Sequence, residues 1–200
     1  MPGRLFLFAH GAGAPSASHW MRAWARRLSA LGSVVTFDYP YMLERKKRPD
    51  AQPKLIEAHR RALAEARQAQ PDKSIVLAGK SMGSRIGCHV ALEERVSALV
   101  CFGYPLKGAG ARAALRDQVL VELDTPILFV QGSRDALCPL GLLEQVRARM
   151  RAPNELEIVE GGDHSLAVTR SRSAEANARQ DEVDQKIFDA VSRFVERYAA

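Results

Sequence analysis

The sequence predicts an α/β chain: a six-stranded, mostly parallel sheet with helices on both faces. Three observations carry this. Short apolar runs alternate with segments of helical period six times along the 200 residues. Most of the runs are apolar throughout, as strands buried on both faces are, rather than alternating with polar residues. Glycine-rich or polar turns follow nearly every run. Strict alternation of this kind implies parallel strands joined by right-handed helical crossovers.

The elements follow in order. Leu5 to Ala9 form the first strand, and His10-Gly11-Ala12-Gly13 follows it. Ser18 is a plausible N-cap for a helix whose face is Trp20, Trp24, Leu28 and Leu31, closed by Gly32. Val34 to Phe37 make the second strand. Residues 41–54, with two prolines and the charge run Glu44 to Arg48, read as loop. Leu55, Ile56, His59, Leu63 and Ala66 trace a helix to about Gln70. Ile75 to Ala78 form the third strand, and from Gly83 the small and apolar residues recur every four, which is helical spacing. Ala98 to Phe102 and Ile127 to Val130 are the next strands, separated by a Gly-rich stretch that is weakly helical over Leu115 to Leu123. Leu140, Leu143, Val146 and Met150 mark a helix, and Leu156 to Glu160 the sixth strand. Residues 167–181 read as an exposed loop before a last helix through Val183, Ile187, Val191, Phe194, Val195 and Tyr198.

Composition excludes several classes. Residues 1–200 read as one domain, with enough length for a real core. No apolar run reaches the length of a membrane span, and the opening segment is too short for a signal peptide. Cys88, Cys101 and Cys138 lie far apart, without metal spacing, and their odd number favours a reducing, cytoplasmic setting. The net charge of +6 is spread over many helices, so it reads as a solvated basic surface and no nucleic-acid partner is expected. Neither a cofactor nor a metal is expected. The oligomeric state is not legible.

The most informative stretch is Gly79-Lys80-Ser81-Met82-Gly83, lying where strand becomes helix. A Gly-x-Ser-x-Gly sequence in that context is the pattern of a nucleophile elbow, a turn so sharp that the serine hydroxyl is pushed out above the sheet. Side chains two residues either side would collide, which is why Gly79 and Gly83 flank it. The Met82 N–H, at a helix N-terminus, faces any oxyanion formed at Ser81. Gly-Lys-Ser also ends a P-loop, but that motif needs glycine six positions before its lysine, and Ser74 stands there. A dinucleotide fingerprint from Gly11 fails similarly, because its third glycine would be Ser16.

Ser81, Asp135 and His164 each follow a strand, in the chain order nucleophile, acid, base that α/β-hydrolases use. Each type has a task. The serine needs a base to remove its proton, and the imidazole needs a carboxylate to fix its tautomer. Asp163 adjoins His164, but an adjacent residue rarely reaches the far ring nitrogen, so Asp135 is the expected partner. His19, His59 and His89 read as structural.

Strand-His-Gly-Ala-Gly, Gly-Lys-Ser-Met-Gly-Ser-Arg, Gly-Tyr-Pro-Leu, Gln-Gly-Ser-Arg-Asp and Gly-Gly-Asp-His-Ser together resemble a small bacterial α/β-hydrolase. The resemblance spans nearly the whole chain. It is nearest to the branch grouped with testis-expressed hydrolase-like proteins and a subunit of the NSL histone-acetyltransferase complex, and more distantly to dienelactone hydrolase. It implies a minimal α/β-hydrolase fold without the two N-terminal antiparallel strands and without a large lid. It also implies Ser81 as nucleophile, Asp135 as acid, His164 as base, and Met82 and Ala12 as oxyanion-hole donors. His10 and Gly11 are expected to support that loop. Ser84 stands where this branch would have glycine, and is expected to face the elbow and narrow the site.

The expected activity is hydrolysis of a small ester or thioester through an acyl-enzyme, with a non-catalytic scaffolding protein of the same fold as the alternative. The span 106–125 is too short to cross back and also cover a long acyl chain, so an open site for short acyl groups is expected. Arg45 to Arg48 and Arg170 to Arg172 follow strand ends and are expected to flank its rim, favouring anionic substrates.

Overall fold

A computed structural model of the chain describes residues 3–108, 114–169, 171 and 173–200. Six strands, β1 (Arg4–Ala9), β2 (Ser33–Phe37), β3 (Ser74–Lys80), β4 (Ala98–Phe102), β5 (Ile127–Gly132) and β6 (Asn154–Val159), form one sheet in the order β2-β1-β3-β4-β5-β6. Every pairing is parallel, including the edges. Among the described residues, seven helices connect and cover it: α1 (His19–Leu28), α2 (Pro40–Leu43), α3 (Gln52–Ala69), α4 (Met82–Ala91), α5 (Gln118–Glu122), α6 (Leu140–Arg147) and α7 (Ala174–Tyr198). No helix among the described residues is long and apolar enough to cross a membrane.

The two-residue period of the strands divides the core in two. Leu5, Leu7, Ile75, Leu77, Leu99, Cys101, Ile127 and Phe129 point to one face, where Leu63 of α3, Cys88 and Val90 of α4, and Leu143 and Val146 of α6 pack on them. Phe6, Phe8, Val76, Ala78, Val100, Phe102, Leu128 and Val130 point to the other, under Met21, Trp24 and Leu28 of α1 and Ile187, Val191 and Phe194 of α7. With both faces covered, the inner strands have no polar side to show. That is why they read as unbroken apolar runs.

Two segments depart from the expectation. Within 41–54 the chain is not all loop: Pro40 opens the one-turn α2, which buries Tyr41, and Pro53 sits in the first turn of α3. A proline in a helix's first turn costs no hydrogen bond and presets φ. The exposed loop expected over 167–181 ends at Ser173, whose hydroxyl accepts from the Ala176 N–H at 3.2 Å and caps α7. The first turns of α7 are rich in alanine and mostly exposed, so the helix forms by propensity and capping without an apolar stripe.

The order of strands reverses between β1 and β3: β1 leads outward to β2, and β3 leads the other way to β4. Parallel sheets bind ligands in the crevice beyond the carboxyl ends of two such strands. The ends meeting there carry His10 to Ala12 after β1 and Ser81 after β3.

Candidate active site

The turn at Ser81 is set by sterics. Its backbone has φ 50° and ψ −111°, a combination a non-glycine residue holds only when its surroundings impose it. A Cβ on Gly79 would lie 2.3 Å from the Ser84 nitrogen, and one on Gly83 would lie 2.4 Å from the Ala9 carbonyl oxygen. Both glycines are therefore needed for α4 to pack against β3 and β1. Ser84 does not narrow the site as expected. It is buried, and its hydroxyl donates to the Gly79 carbonyl at 2.5 Å, bracing the turn from behind.

Ser81, His164 and Asp135 form one hydrogen-bonded chain. His164 Nε2 lies 2.8 Å from Ser81 Oγ, and His164 Nδ1 lies 2.7 Å from Asp135 Oδ2. A carboxylate only accepts, so Nδ1 carries the ring proton and Nε2 is free to accept from the serine hydroxyl. Burial alone would push the Asp135 carboxyl up. Hydrogen bonds from His164, the Leu137 N–H and the Gln131 amide outweigh it and hold the carboxyl below its ordinary value. Asp163 is occupied elsewhere: its Oδ1 accepts from the Ser165 and Ala167 N–H groups and folds the turn that carries His164.

The loop after β1 is fixed by side-chain bonds of His10 and Tyr41. The buried His10 ring accepts the Tyr39 N–H on Nε2 at 3.1 Å, which leaves Nδ1–H to donate to the Gly11 carbonyl at 2.7 Å. Burial lowers its pKa, against the opposing pull of the Gly11 carbonyl and Asp38, so the ring is neutral at pH 7. Tyr41 adds its hydroxyl to the Ala12 carbonyl at 3.0 Å. Across a trans peptide the Gly11 C=O and the Ala12 N–H point in opposite directions, so holding the first aims the second. Ala12 and Met82 line the same cleft as Ser81.

That cleft, about 280 Å³, is one of two that meet at Ser81. The second, about 450 Å³, is lined by His164, Trp20, Lys80 and the Gly11 to Ala14 loop. Lys80 crosses its floor: its ammonium donates to the His164 carbonyl and sits 5.3 Å from the centre of the Trp20 ring. Burial lowers its pKa to about 8, despite Asp135 and Asp163 nearby. Between β4 and β5 the described residues form a Lys107–Leu115 bridge and the five-residue α5. Residues Arg45 to Arg48 are exposed and line neither cleft. Arg170 and Arg172 lie outside the described residues. The basic residues that do reach the clefts, Lys80, Arg85, Lys107 and Arg116, were not singled out by sequence reasoning, nor was Tyr41. Among the described residues, no three His, Cys, Asp or Glu side chains gather as a metal-ligand set.

A sequence profile described as the alpha/beta hydrolase domain matches residues 2–196. The chain belongs to that family. As an alpha/beta hydrolase it is similar in fold to a serine hydrolase homologue from Coxiella burnetii, with a TM-score of 0.73 and 19% identity over 92% of this chain and 84% of the other. A dienelactone hydrolase from Anabaena variabilis gives 0.72 and 19%, over 99% and 88%. In sequence the chain is also similar to the uncharacterized protein YqkD of Bacillus subtilis, 27% identical over 77 residues. That match covers 38% of this chain and a quarter (25%) of YqkD.

Proposed function

We propose that this protein is a serine hydrolase that cleaves short-chain esters or thioesters through an acyl-enzyme on Ser81. The observation that carries the reading is the unbroken chain Asp135–His164–Ser81 at 2.7 and 2.8 Å, on a serine held in a strained elbow conformation. The Ser81 oxygen attacks the substrate carbonyl while its proton passes to His164 Nε2. The resulting oxyanion sits against the Met82 and Ala12 N–H groups. As it collapses, the bond to the leaving oxygen or sulfur breaks, and that atom takes the proton from Nε2. Water then repeats the sequence on the Ser81 ester, releasing acid and regenerating the hydroxyl. Asp135 keeps its negative charge throughout and steadies the imidazolium. His10, Gly11, Gly79 and Gly83 act only through the geometry of the two donors and the nucleophile.

The motif resemblance to the testis-expressed and NSL-subunit branch is consistent with this reading and supplies its rival, a scaffold that kept the fold without the chemistry. Three unpaired, buried thiols fit a cytoplasmic setting. A fluorophosphonate probe separates the two. Stoichiometric labelling that Ser81→Ala abolishes supports the hydrolase; a folded protein that takes up no label supports the scaffold.

A further inference from the structure

The cleft on the Met82 side of Ser81 has a charge pattern that general ester hydrolysis does not require. Among the described residues, its charged lining is Arg85, Lys107, Arg116 and a single carboxylate, Asp50. Asp50 is already engaged, with Oδ1 on the Lys54 ammonium at 3.0 Å and Oδ2 on the Tyr41 N–H at 3.0 Å. None of the three cations forms an ion pair with a described carboxylate, although ten other lysines and arginines of differing exposure do so elsewhere among the described residues. The Arg85 guanidinium donates through Nη1 to Gln52, while its buried Nε has no partner. Burial, and then the nearby Arg116, pull its pKa below the ordinary arginine value. An unsatisfied buried donor is costly unless something arrives to accept from it.

The positions of these cations are built into the backbone. Arg85 lies one helical turn after Ser81, and its N–H donates to the Ser81 carbonyl at 3.2 Å. The Arg116 N–H donates to the Leu106 carbonyl and its carbonyl accepts from the buried Tyr104 hydroxyl, both at 2.8 Å. Lys107 is held opposite Leu115 by the antiparallel bridge.

The catalytic cycle assigns the two clefts. His164 must reach the leaving atom to protonate it, and His164 lines only the Trp20 cleft, so the alcohol or thiol half belongs there. The acyl half is left with the Met82 side. We propose that this cleft takes an acyl group ending in a carboxylate, bound by Arg85 and Arg116, so that the substrates are monoesters or monothioesters of short dicarboxylic acids. The assignment rests on the hydrolase reading above. A planar guanidinium fork matches a carboxylate with two parallel bonds.

The test compares three esters in the full chain: mono-4-nitrophenyl succinate, neutral 4-nitrophenyl butyrate of similar length, and 4-acetoxybenzoate, whose charge is on the leaving side. The succinate ester is expected to exceed the butyrate at least tenfold in kcat/KM. Arg85→Gln and Arg116→Gln are each expected to cut that ratio about tenfold, with Arg85→Lys keeping part of it. Both rates are read on one preparation, so a partly unfolded variant lowers them together and leaves the ratio intact. A ratio at or below one, a ratio that neither variant changes, or a preference for 4-acetoxybenzoate over both overturns the subsite while butyrate turnover leaves the hydrolase standing. If no ester is cleaved, the hydrolase reading fails instead, and glutarate binding to Ser81→Ala by calorimetry decides the subsite. Binding that Arg116→Gln weakens about tenfold supports it, and no binding refutes it.

Discussion

Gln131 donates its side-chain amide to Asp135 Oδ2 at 2.6 Å, the same oxygen that accepts the His164 Nδ1–H at 2.7 Å. The other oxygen, Oδ1, accepts the Leu137 N–H at 2.8 Å. All three neighbours donate, so the site is complementary to a carboxylate and to nothing with a hydrogen to give. In Asp135→Asn the new NH₂ must face one of these donors in either orientation. Turnover is expected to fall about 10⁴-fold, and stability by about 1–3 kcal/mol, read by ester hydrolysis and urea titration. Asp163→Asn should keep far more of the rate; if it is instead the crippling change, the carboxylate has been misassigned. The sign with pH also follows. The folded pKa of Asp135 lies below its unfolded value, so its contribution to stability is complete above the unfolded value, about 3.9. It fades as pH falls through the folded one, and Asp135→Asn should flatten that acid limb.

Ser81→Ala should reduce turnover by roughly a million-fold if the elbow serine is the nucleophile. The variant also removes a side chain from a residue with positive φ, and alanine is no better suited to φ 50° than serine. Its melting temperature should therefore stay close to that of the parent. Esterase rates near the parent's, from pure protein, would end the assignment.

The Ala12 N–H, proposed as an oxyanion donor, is held at second hand, which gives a separate test. Tyr41→Phe removes the hydroxyl that reaches the Ala12 carbonyl at 3.0 Å and, at 3.4 Å, the Gly11 carbonyl whose peptide carries the Ala12 N–H, without altering the buried ring. A drop in kcat of about tenfold, the worth of one ordinary hydrogen bond, with little change in KM, is expected. His10→Ala should cost more, because it also releases the Gly11 carbonyl and the Tyr39 N–H. A change confined to KM in both variants would show that the loop orders substrate rather than the transition state.

What could be read from the sequence and what could not divide along physical lines. Strands β1, β3, β4 and β5 were legible because double burial leaves an unbroken apolar run. The elbow was legible because its sterics are local: Gly79 and Gly83 lie two residues from Ser81, and no distant contact is needed to demand them. Ser81, Asp135 and His164 could be proposed together because each follows a strand. Tyr41, Gln131 and Arg116 act through neighbours far off in sequence or through one specific rotamer, and nothing in the residues beside them signals it. Lys80 was visible only as a variable position of the elbow. The start of α7 was missed because an exposed helix shows no apolar stripe, although Ser173 before an alanine-rich turn was a usable signal.

Lys80 should make the protein's stability depend on pH in the alkaline range. Its pKa of about 8 in the folded state lies below the unfolded lysine value, so the folded chain holds fewer protons between the two. Where the unfolded state binds more protons, stability rises with pH. The cost of burying the ammonium is thus complete below about pH 8 and is relieved towards pH 10, by at most on the order of 3 kcal/mol at 1.36 kcal/mol per unit. Compared with Lys80→Met, the parent should gain stability between pH 7.5 and 9.5 in urea titrations. In the same interval the charge-assisted bond to the His164 carbonyl weakens, so kcat should decline on that limb in the parent and not in the variant. Parallel stability curves for the two proteins would place the ammonium in water.

The last prediction concerns chain length. Two clefts of about 450 and 280 Å³ meet at Ser81, and the crossing from β4 to β5 contributes only α5 and a short bridge among the described residues. Burying a methylene contributes about 0.8 kcal/mol, or roughly a fourfold gain in kcat/KM for each carbon a deep acyl tunnel accepts. In a shallow cleft the gain stops once the chain reaches solvent. For neutral 4-nitrophenyl esters, kcat/KM should therefore rise from acetyl to butyryl and then level or fall by octanoyl. A continued rise of several-fold per two carbons through decanoyl would require an enclosed apolar channel, and would overturn the open-site reading without touching the roles of Ser81, His164 and Asp135.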